Sequence, residues 1–451
     1  MSVRTGDIST AWRTPPVVLA LVAGIGVVLG VSLLLFPVFL VVGVLLSLVA
    51  AVLFLTYPFV GAMTFVAFYY LRPMDYIPEL GVLRISLFVA SVTATGLIVR
   101  LLLAKEQLVE GWYVKAFLAL WAVMWLSVPL ATWRGNSFAH TMSFAKYGVA
   151  MVWMVYMSIR SRKQLHFGVR MLGWMALWLA GSTVYTYYSG DTMQTAELSR
   201  AGTGNMMLGD PNDTAAVILM MFPLCYYLFF HDPKRWMRGV YALAMVLSLV
   251  AVVLTGSRGG FLGLVFLLFL LWLRSRRKVL GMFVALAVFG ALWFTAPEGY
   301  RERIRSITEY HQDESAMARV HLREAAVRMF LHNPLVGIGI GNFMDFAREY
   351  GAITYHTAHN MYLLVLGELG ALGITVFLYI WLRALREAKR LGEEDEDPLL
   401  RALGWGAFVG LLDMMVTGYF LSISYYPYQY FVMAMVAVAA SRREAIVRSA
   451  T

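Results

Sequence analysis

Long apolar runs recur from one end of the chain to the other, separated by short polar or basic segments. A helix needs about 20 mostly apolar residues to cross a bilayer, where its backbone must satisfy its own hydrogen bonds. The runs therefore predict membrane helices over 17–35, 38–55, 58–71, 84–103, 114–131, 143–159, 166–188 and 213–230. Further helices are expected over 238–254, 259–273, 279–296, 359–382, 401–422 and 428–440. Nothing in the pattern alternates polar and apolar residues in segments of about 10, as a β-barrel requires. Residues 17–71 form a nearly unbroken apolar block punctuated only by Pro37 and Pro58. The expected fold is an all-α polytopic integral membrane protein with about 12–14 transmembrane helices and one long, partly helical periplasmic loop. The stretch from Met1 to Pro16 is short and polar, and no small-residue cleavage site follows, so the first run reads as a retained span rather than a signal peptide.

Three regions follow from this pattern: transmembrane helices with short loops over 1–296, the loop at 297–358, and transmembrane helices with a tail over 359–451. With the N-terminus cytoplasmic, the clusters Arg160/Arg162/Lys163, Lys234/Arg235/Arg238, Arg274/Arg276/Arg277/Lys278, Arg383/Arg386/Lys389/Arg390 and Arg442/Arg443 all fall inside. That distribution obeys the positive-inside rule, with both termini cytoplasmic. The opposite, external face then receives 189–212, the turn containing Arg258, and 297–358. In that loop Ala316 to Leu331 is amphipathic, with Arg319, Arg323 and Arg328 among apolar positions, Asp313-Glu314-Ser315 as a cap region and Asn333-Pro334 as a stop. The Gly337-Ile-Gly-Ile-Gly341 run resembles a phosphate loop only superficially, because no strand precedes it, and a flexible turn docking on the membrane face is expected.

Composition changes this picture little: 60% of residues are hydrophobic, 14% are charged, and the net charge is +10. Because the basic residues sit in short loops between spans, the charge sets topology and gives no reason to expect nucleic acid. Cys225 is the only cysteine and lies in an apolar run, which excludes disulfides and cysteine-based metal sites and suits a small buried hydrophobe. The acidic run Gly392 to Asp397 reads as solvated surface.

Arg258 stands between two apolar runs. An arginine at the centre of a membrane helix costs at least about 2.5–3.5 kcal/mol, so one kept at a span junction calls for an anionic partner. The competing reading is an arginine that snorkels to lipid phosphates. Two further polar clusters lie on the same face. One is Arg200 to Asn205 running into Gly209-Asp-Pro-Asn-Asp213; the other is His356-Thr-Ala-His359-Asn-Met-Tyr362. Two arginines and a histidine suit a diphosphate, since guanidinium binds phosphate oxygens bidentately and stays charged. Ser257 can cap a helix starting near Gly259, whose positive end also favours an anion, and the adjacent glycines would admit a headgroup close to the backbone. Arg200 is more ambiguous, because an arginine in a polar loop costs nothing. Asp210 and Asp213 can cap a helix beginning near Thr214. His359 opens a helix, where the dipole lowers its pKa and favours the neutral base. His356 and His359 have no third ligand, so no metal site is expected. Glu368, two or three turns into a span, should be protonated or paired with a buried cation or hydroxyl.

The motifs Gly209-Asp-Pro-Asn-Asp213, Thr255-Gly-Ser-Arg-Gly-Gly260, Asn333-Pro-Leu-Val-Gly-Ile-Gly339 and His359-Asn-Met-Tyr-Leu-Leu364 with Glu368-Leu-Gly370 occur in this order. Over residues 190–385 the chain resembles the O-antigen ligase family of lipopolysaccharide O-antigen ligases, O-antigen polymerases and protein O-oligosaccharyltransferases. The resemblance implies a metal-independent inverting glycosyltransferase with no cofactor. Its donor would be a glycan on undecaprenyl diphosphate, and its acceptor a hydroxyl on lipid A-core, another glycan or a protein. By position, Arg258 and His359 match family motif residues, and Arg200 matches the arginine before the span starting near Asp213. Ser257, Gly259, Asn212, Asp213, His356, Asn360, Tyr362 and Arg319 are the expected substrate-binding residues. A lipid-linked oligosaccharide flippase or other transporter is the alternative of another class; such proteins often carry paired repeats and midplane charges, whereas this chain shows no convincing two-fold similarity and its polar residues concentrate at one face.

Overall fold

The computed structural model describes residues 38–77, 84–103, 111–190, 192–194, 199–202, 210–305 and 314–450. The span expected at 17–35, the Met1 to Pro16 stretch, Thr203 to Gly209 and Asp313 lie outside the described residues. The apolar runs form α1 (Val38–Thr56), α2 (Pro58–Leu71), α3 (Ile85–Leu103), α4 (Trp112–Ser127), α5 (Arg134–Phe144), α6 (Ala150–Ser158), α7 (Arg162–Ser189) and α8 (Pro211–His231). They continue as α9 (Arg235–Leu254), α10 (Arg258–Arg274) and α11 (Lys278–Thr295). In the loop lie α12 (Glu298–Arg305) and α13 (Glu314–His332), and the chain ends with α14 (Met361–Glu394), α15 (Pro398–Thr417) and α16 (Pro427–Ala450). The one ladder among the described residues pairs β1 (Met193–Gln194) with β2 (Ser199–Arg200), antiparallel.

The protein is a multi-pass, all-α membrane protein. Among the described residues six helices are long and apolar enough to cross a bilayer alone: α3, α4 with its extension to Leu130, α8, α9, α14 and α15. The helices α1 and α2 meet the same criterion only as a pair, bent by 118°. Other expected spans appear as shorter or interrupted helices. Thus α5 and α6 are joined by a π-helical turn, Ala145–Val149, and α10 has only 17 residues. At the centre α8 is buried from Thr214 to Cys225 and packs against α15, α9 and α7.

Contacts sort the loops into two faces. On one, Arg162 pairs with Asp397 at 2.7 Å, Arg170 with Asp232 at 2.9 Å, and the Arg274 guanidinium lies 3.1 Å from the Trp405 ring centre. On the other, Thr132 N–H donates to Ile338 at 3.0 Å, Asn136 to Gly341 at 2.8 Å, and Ala201 N–H to Leu254 at 3.1 Å. The expected alternation of basic and polar loops separates the same two sets.

The loop fixes itself to the bundle through a break in α14. Gly370 there has φ 62° and ψ −160°, a conformation essentially confined to glycine. A broken helix leaves carbonyls and N–H groups without intrahelical partners. The Pro334 to Gly339 turn supplies them. Ile338 and Gly339 N–H groups donate to Gly367 and Glu368 at 3.0 and 2.9 Å, while Ala371 and Leu372 donate to Pro334 and Leu335 at 2.8 and 3.1 Å. Gly337, at φ 65°, comes so close that a Cβ would lie 2.3 Å from the Glu368 carbonyl carbon. The glycine run is therefore a hydrogen-bonded wedge rather than the flexible turn its sequence suggests. Glu368 is buried and its Oε1 accepts from Phe343 N–H at 3.2 Å, while its Oε2 and the Tyr425 hydroxyl make no hydrogen bond, so the hydroxyl partner expected at this depth in the helix is not engaged. Beneath the loop, Leu322, Ala326 and Met329 of α13 pack with Ile338, Phe343 and Leu364.

Candidate active site

On the polar face, the turn between α9 and α10 carries Arg258 as the first residue of its helix. Ser257 is the N-cap: its Oγ accepts from Gly260 N–H at 3.0 Å and donates to Asn212 Oδ1 at 2.8 Å. The same Asn212 oxygen accepts from Arg200 Nη2 at 2.9 Å, and Arg200 Nε donates to the Thr255 carbonyl at 2.9 Å. Arg200 is 5% exposed. It is thus a buried guanidinium clasping the turn that presents Arg258, not an arginine lying free of cost in a polar loop. Gly260 serves helix packing rather than ligand approach, since a Cβ would lie 2.7 Å from that of Ala215, whereas at Gly259 a Cβ would make only ordinary contact with Phe420.

The helix α8 begins three positions before Thr214, at Pro211, because Asp210 caps it and proline suits the first helical position. Asp210 Oδ1 accepts from Asn212 N–H at 2.7 Å and from Asn212 Nδ2 at 2.9 Å, so every polar atom of Asn212 is used in holding the cluster. Asp213 sits in the first helical turn and accepts from Tyr426 Oη at 2.6 Å.

His359 occupies the left-handed region at φ 46°, just ahead of α14. Asn360 is the helix cap, its Oδ1 accepting from Tyr362 and Leu363 N–H groups at 3.0 and 2.9 Å. Left-handed backbone at a non-glycine residue costs on the order of 1 kcal/mol and persists where surrounding contacts enforce it. Here the Asn360 cap and the Met361 N–H donating to Gly418 at 2.8 Å fix the chain immediately after the turn. The imidazole is half-buried, its ring centre 5.9 Å from that of the exposed His356. Burial, then the nearby Arg319 guanidinium, lower the His359 pKa to about 4, against an opposing pull from Asp210. His359 is therefore neutral at pH 7, for reasons of desolvation and neighbouring charge rather than the helix dipole its position suggests.

Asp210 joins the two arms, since it holds Asn212 and acts electrostatically on His359. The segment between α15 and α16 joins them again. Ser424 Oγ donates to Met361 O at 2.8 Å, Tyr426 reaches Asp213, and Tyr419 gives its carbonyl to Arg323 at 3.2 Å and its ring face at 4.8 Å. Arg200, Arg258, Arg319 and His359 thus belong to one connected polar assembly. Of the other expected binding residues, Ser257, Asn212 and Asn360 spend their side chains on its frame, and Tyr362 Oη donates to the Met415 carbonyl at 2.7 Å, tying α14 to α15. His356 borders the assembly from the exposed side. Sequence reading missed Tyr426, Ser424 and Arg323 as participants. Ser424 and Tyr426 lie in the short link between the spans expected at 401–422 and 428–440, and Arg323 in the amphipathic helix of the loop, and no local spacing signals such long-range contacts. Among the described residues no group of three or more His, Cys, Asp or Glu gathers in a way that could hold a metal.

Residues 243–378 match the family model described as O-Antigen ligase. Over these residues, fewer than half of its length, the chain is similar to the O-antigen ligase family. That family is one of glycosyltransferase-like ligases and polymerases. The matched segment runs from within α9 into α14 and contains Ser257, Arg258, Arg319, His356, His359, Asn360 and Tyr362. Arg200, Asn212 and Asp213 lie before it, yet the structure docks them onto its Ser257 turn and onto the α15–α16 segment. No curated protein matches the chain.

Proposed function

We propose that the protein is an inverting glycosyltransferase that moves a glycan from undecaprenyl diphosphate to an acceptor hydroxyl at the periplasmic face of a bacterial inner membrane, the acceptor being lipid A-core. The observation that carries this reading is the meeting, on one face of a membrane bundle, of two arginines at the Ser257 turn with a neutral histidine held in left-handed backbone. Arg258 and Arg200 supply the positive charge that a diphosphate needs, so the reaction calls for no metal at the leaving group. As the anomeric carbon–oxygen bond breaks, charge grows on the diphosphate, and the arginines stabilise it more in the transition state than in the ground state. The acceptor oxygen forms its bond to the anomeric carbon from the opposite face, and its proton passes to His359. The diphosphate leaves with the bonding pair on its oxygen, and the anomeric centre is inverted.

Donor binding places negative charge beside Arg319, which lifts the His359 pKa from its value in the empty site toward that of a useful base. His359 is the neutral base above its pKa, so transfer declines as pH falls through it. In free enzyme kcat/KM should hold down to about pH 5 and decline on approaching the His359 pKa of about 4. Removing the Arg319 charge raises that pKa. Arg319→Ala is therefore expected to move the acid limb of the kcat/KM profile to higher pH, and an unmoved limb contradicts the role given to His359.

Deleting the gene and examining surface glycans tests the acceptor. Loss of long-chain polysaccharide from lipid A is the expected result. Loss of chain extension alone would make the protein a polymerase, unglycosylated pilin-like proteins would make it a protein glycosylating enzyme, and unchanged glycans would overturn the proposal.

A further inference from the structure

The helix that begins at Arg258 carries an apolar stripe in line with it. Phe261, Val265, Leu268 and Trp272 follow Arg258 at alternating steps of three and four, which places them on one face of α10. That face opens onto a cleft of about 450 Å³ between α10 and α11, closed on the other side by residues including Leu286 and Phe289. From Phe261 to Trp272 the cleft runs roughly 16 Å at 1.5 Å per residue. No described residue of α11 is buried, and this helix stands at the edge of the bundle, touching α10 and, less extensively, α9. Over the Arg258 end, Tyr300 and Ile304 of α12 pack with Val253, Ala296 and Phe261, so the cleft is roofed toward the polar face and open toward the membrane.

We propose that this cleft holds the polyprenyl chain of the lipid-linked donor, an inference that rests on reading Arg258 as a diphosphate ligand. The argument is one of continuity. A polyprenyl diphosphate joins an anion to a long, branched, unsaturated hydrocarbon, and α10 presents a guanidinium and an apolar stripe in that order along one face. The chain leaves the diphosphate downward past Phe261 and lies against Val265 and Leu268, with Leu286 opposite. Branch methyls and planar double bonds fit a surface of aromatic rings and aliphatic side chains. Ordinary bilayer lipids lack the coupling, since their phosphates belong at the interface with acyl chains free to lie anywhere on the bundle.

The test uses the full-length protein in nanodiscs and an undecaprenyl diphosphate carrying a diazirine in its chain. Irradiation should label peptides of α10 and α11. Unlabelled undecaprenyl diphosphate should compete, and phosphatidylglycerol at the same concentration should not. Val265→Trp and Leu286→Trp fill the cleft from positions 43% and 60% exposed, where folding does not depend on the native side chain. Both should reduce labelling at least tenfold and raise KM for the long-chain donor by a similar factor. Leu243→Trp, at a 51% exposed position on α9, should do neither. Labelling elsewhere, equal competition by phosphatidylglycerol, or wild-type labelling of the filled variants would overturn the proposal. Labelling reads binding without turnover. A labelled cleft in a protein that transfers no glycan would support the cleft and refute the transferase, whereas transfer with an unlabelled cleft would refute the cleft alone.

Discussion

Arg258→Ala is expected to lower kcat/KM for glycan transfer by roughly 10²–10³, the usual effect of removing one preorganised group that stabilises developing charge. The loss should not come from misfolding. The cap of α10 is formed by Ser257 Oγ on Gly260 N–H, and the turn is held by Arg200 and Asn212, so these contacts survive the substitution. Expression and thermal stability should therefore match wild type. Arg258→Lys should recover only part of the activity, because an ammonium keeps the charge but not the bidentate geometry. Arg200 offers a contrast. It bonds to the Thr255 carbonyl and to Asn212 from a buried position, so its loss would disturb the turn as well as the charge. Arg258 is the cleaner probe, and a wild-type rate in Arg258→Ala would remove it from the mechanism.

The second large effect is expected at His359, where losing a general base typically costs about 10²–10⁴ in rate. The backbone complicates a simple alanine substitution. At φ 46° the wild-type histidine already carries the left-handed strain, and alanine tolerates that region less well than histidine, so its substitution mixes a conformational change with any chemical loss. Asparagine tolerates this region and cannot take up the proton, so His359→Asn separates the two effects. It should keep the Asn360 cap and the wild-type melting temperature while transfer falls by the full factor. Equal activity of His359→Asn and wild type would show that the position matters for shape and not for proton transfer.

What the sequence made legible was whatever local composition carries. The predicted spans among the described residues fall on helices, although the one at 143–159 is interrupted by a π-helical turn and the one at 401–422 runs past the end of α15, because a membrane helix announces itself within a window of about 20 residues. The Ser257 cap was legible for the same reason, as serine two residues before paired glycines at the head of an apolar run is a local signal. What escaped depends on partners far along the chain. The buried clasp of Arg200 needs Thr255 and Asn212 on two other elements. The wedge at Pro334 to Gly339 makes sense only beside the break at Gly370, and each half alone reads as a turn or as continuous helix. Asn212 and Asn360 were legible as polar residues near the site but not as framework, since which lone pair faces the protein and which faces a ligand is set by packing. His359 was singled out correctly as a neutral histidine for a reason that was secondary. Burial and Arg319 lower its pKa, and neither is visible in the residues around it.

Transfer and transport differ in what they leave behind, since only transfer makes a new glycosidic bond. The most direct measurement incubates purified protein with a glycan on undecaprenyl diphosphate and a lipid A-core acceptor in detergent, with no membrane and no gradient, and determines the anomeric configuration of any product. The expected product is a glycosylated acceptor with the configuration opposite to that of the donor. Absence of product with active, folded protein, or a product that retains the donor's configuration, would contradict inverting transfer.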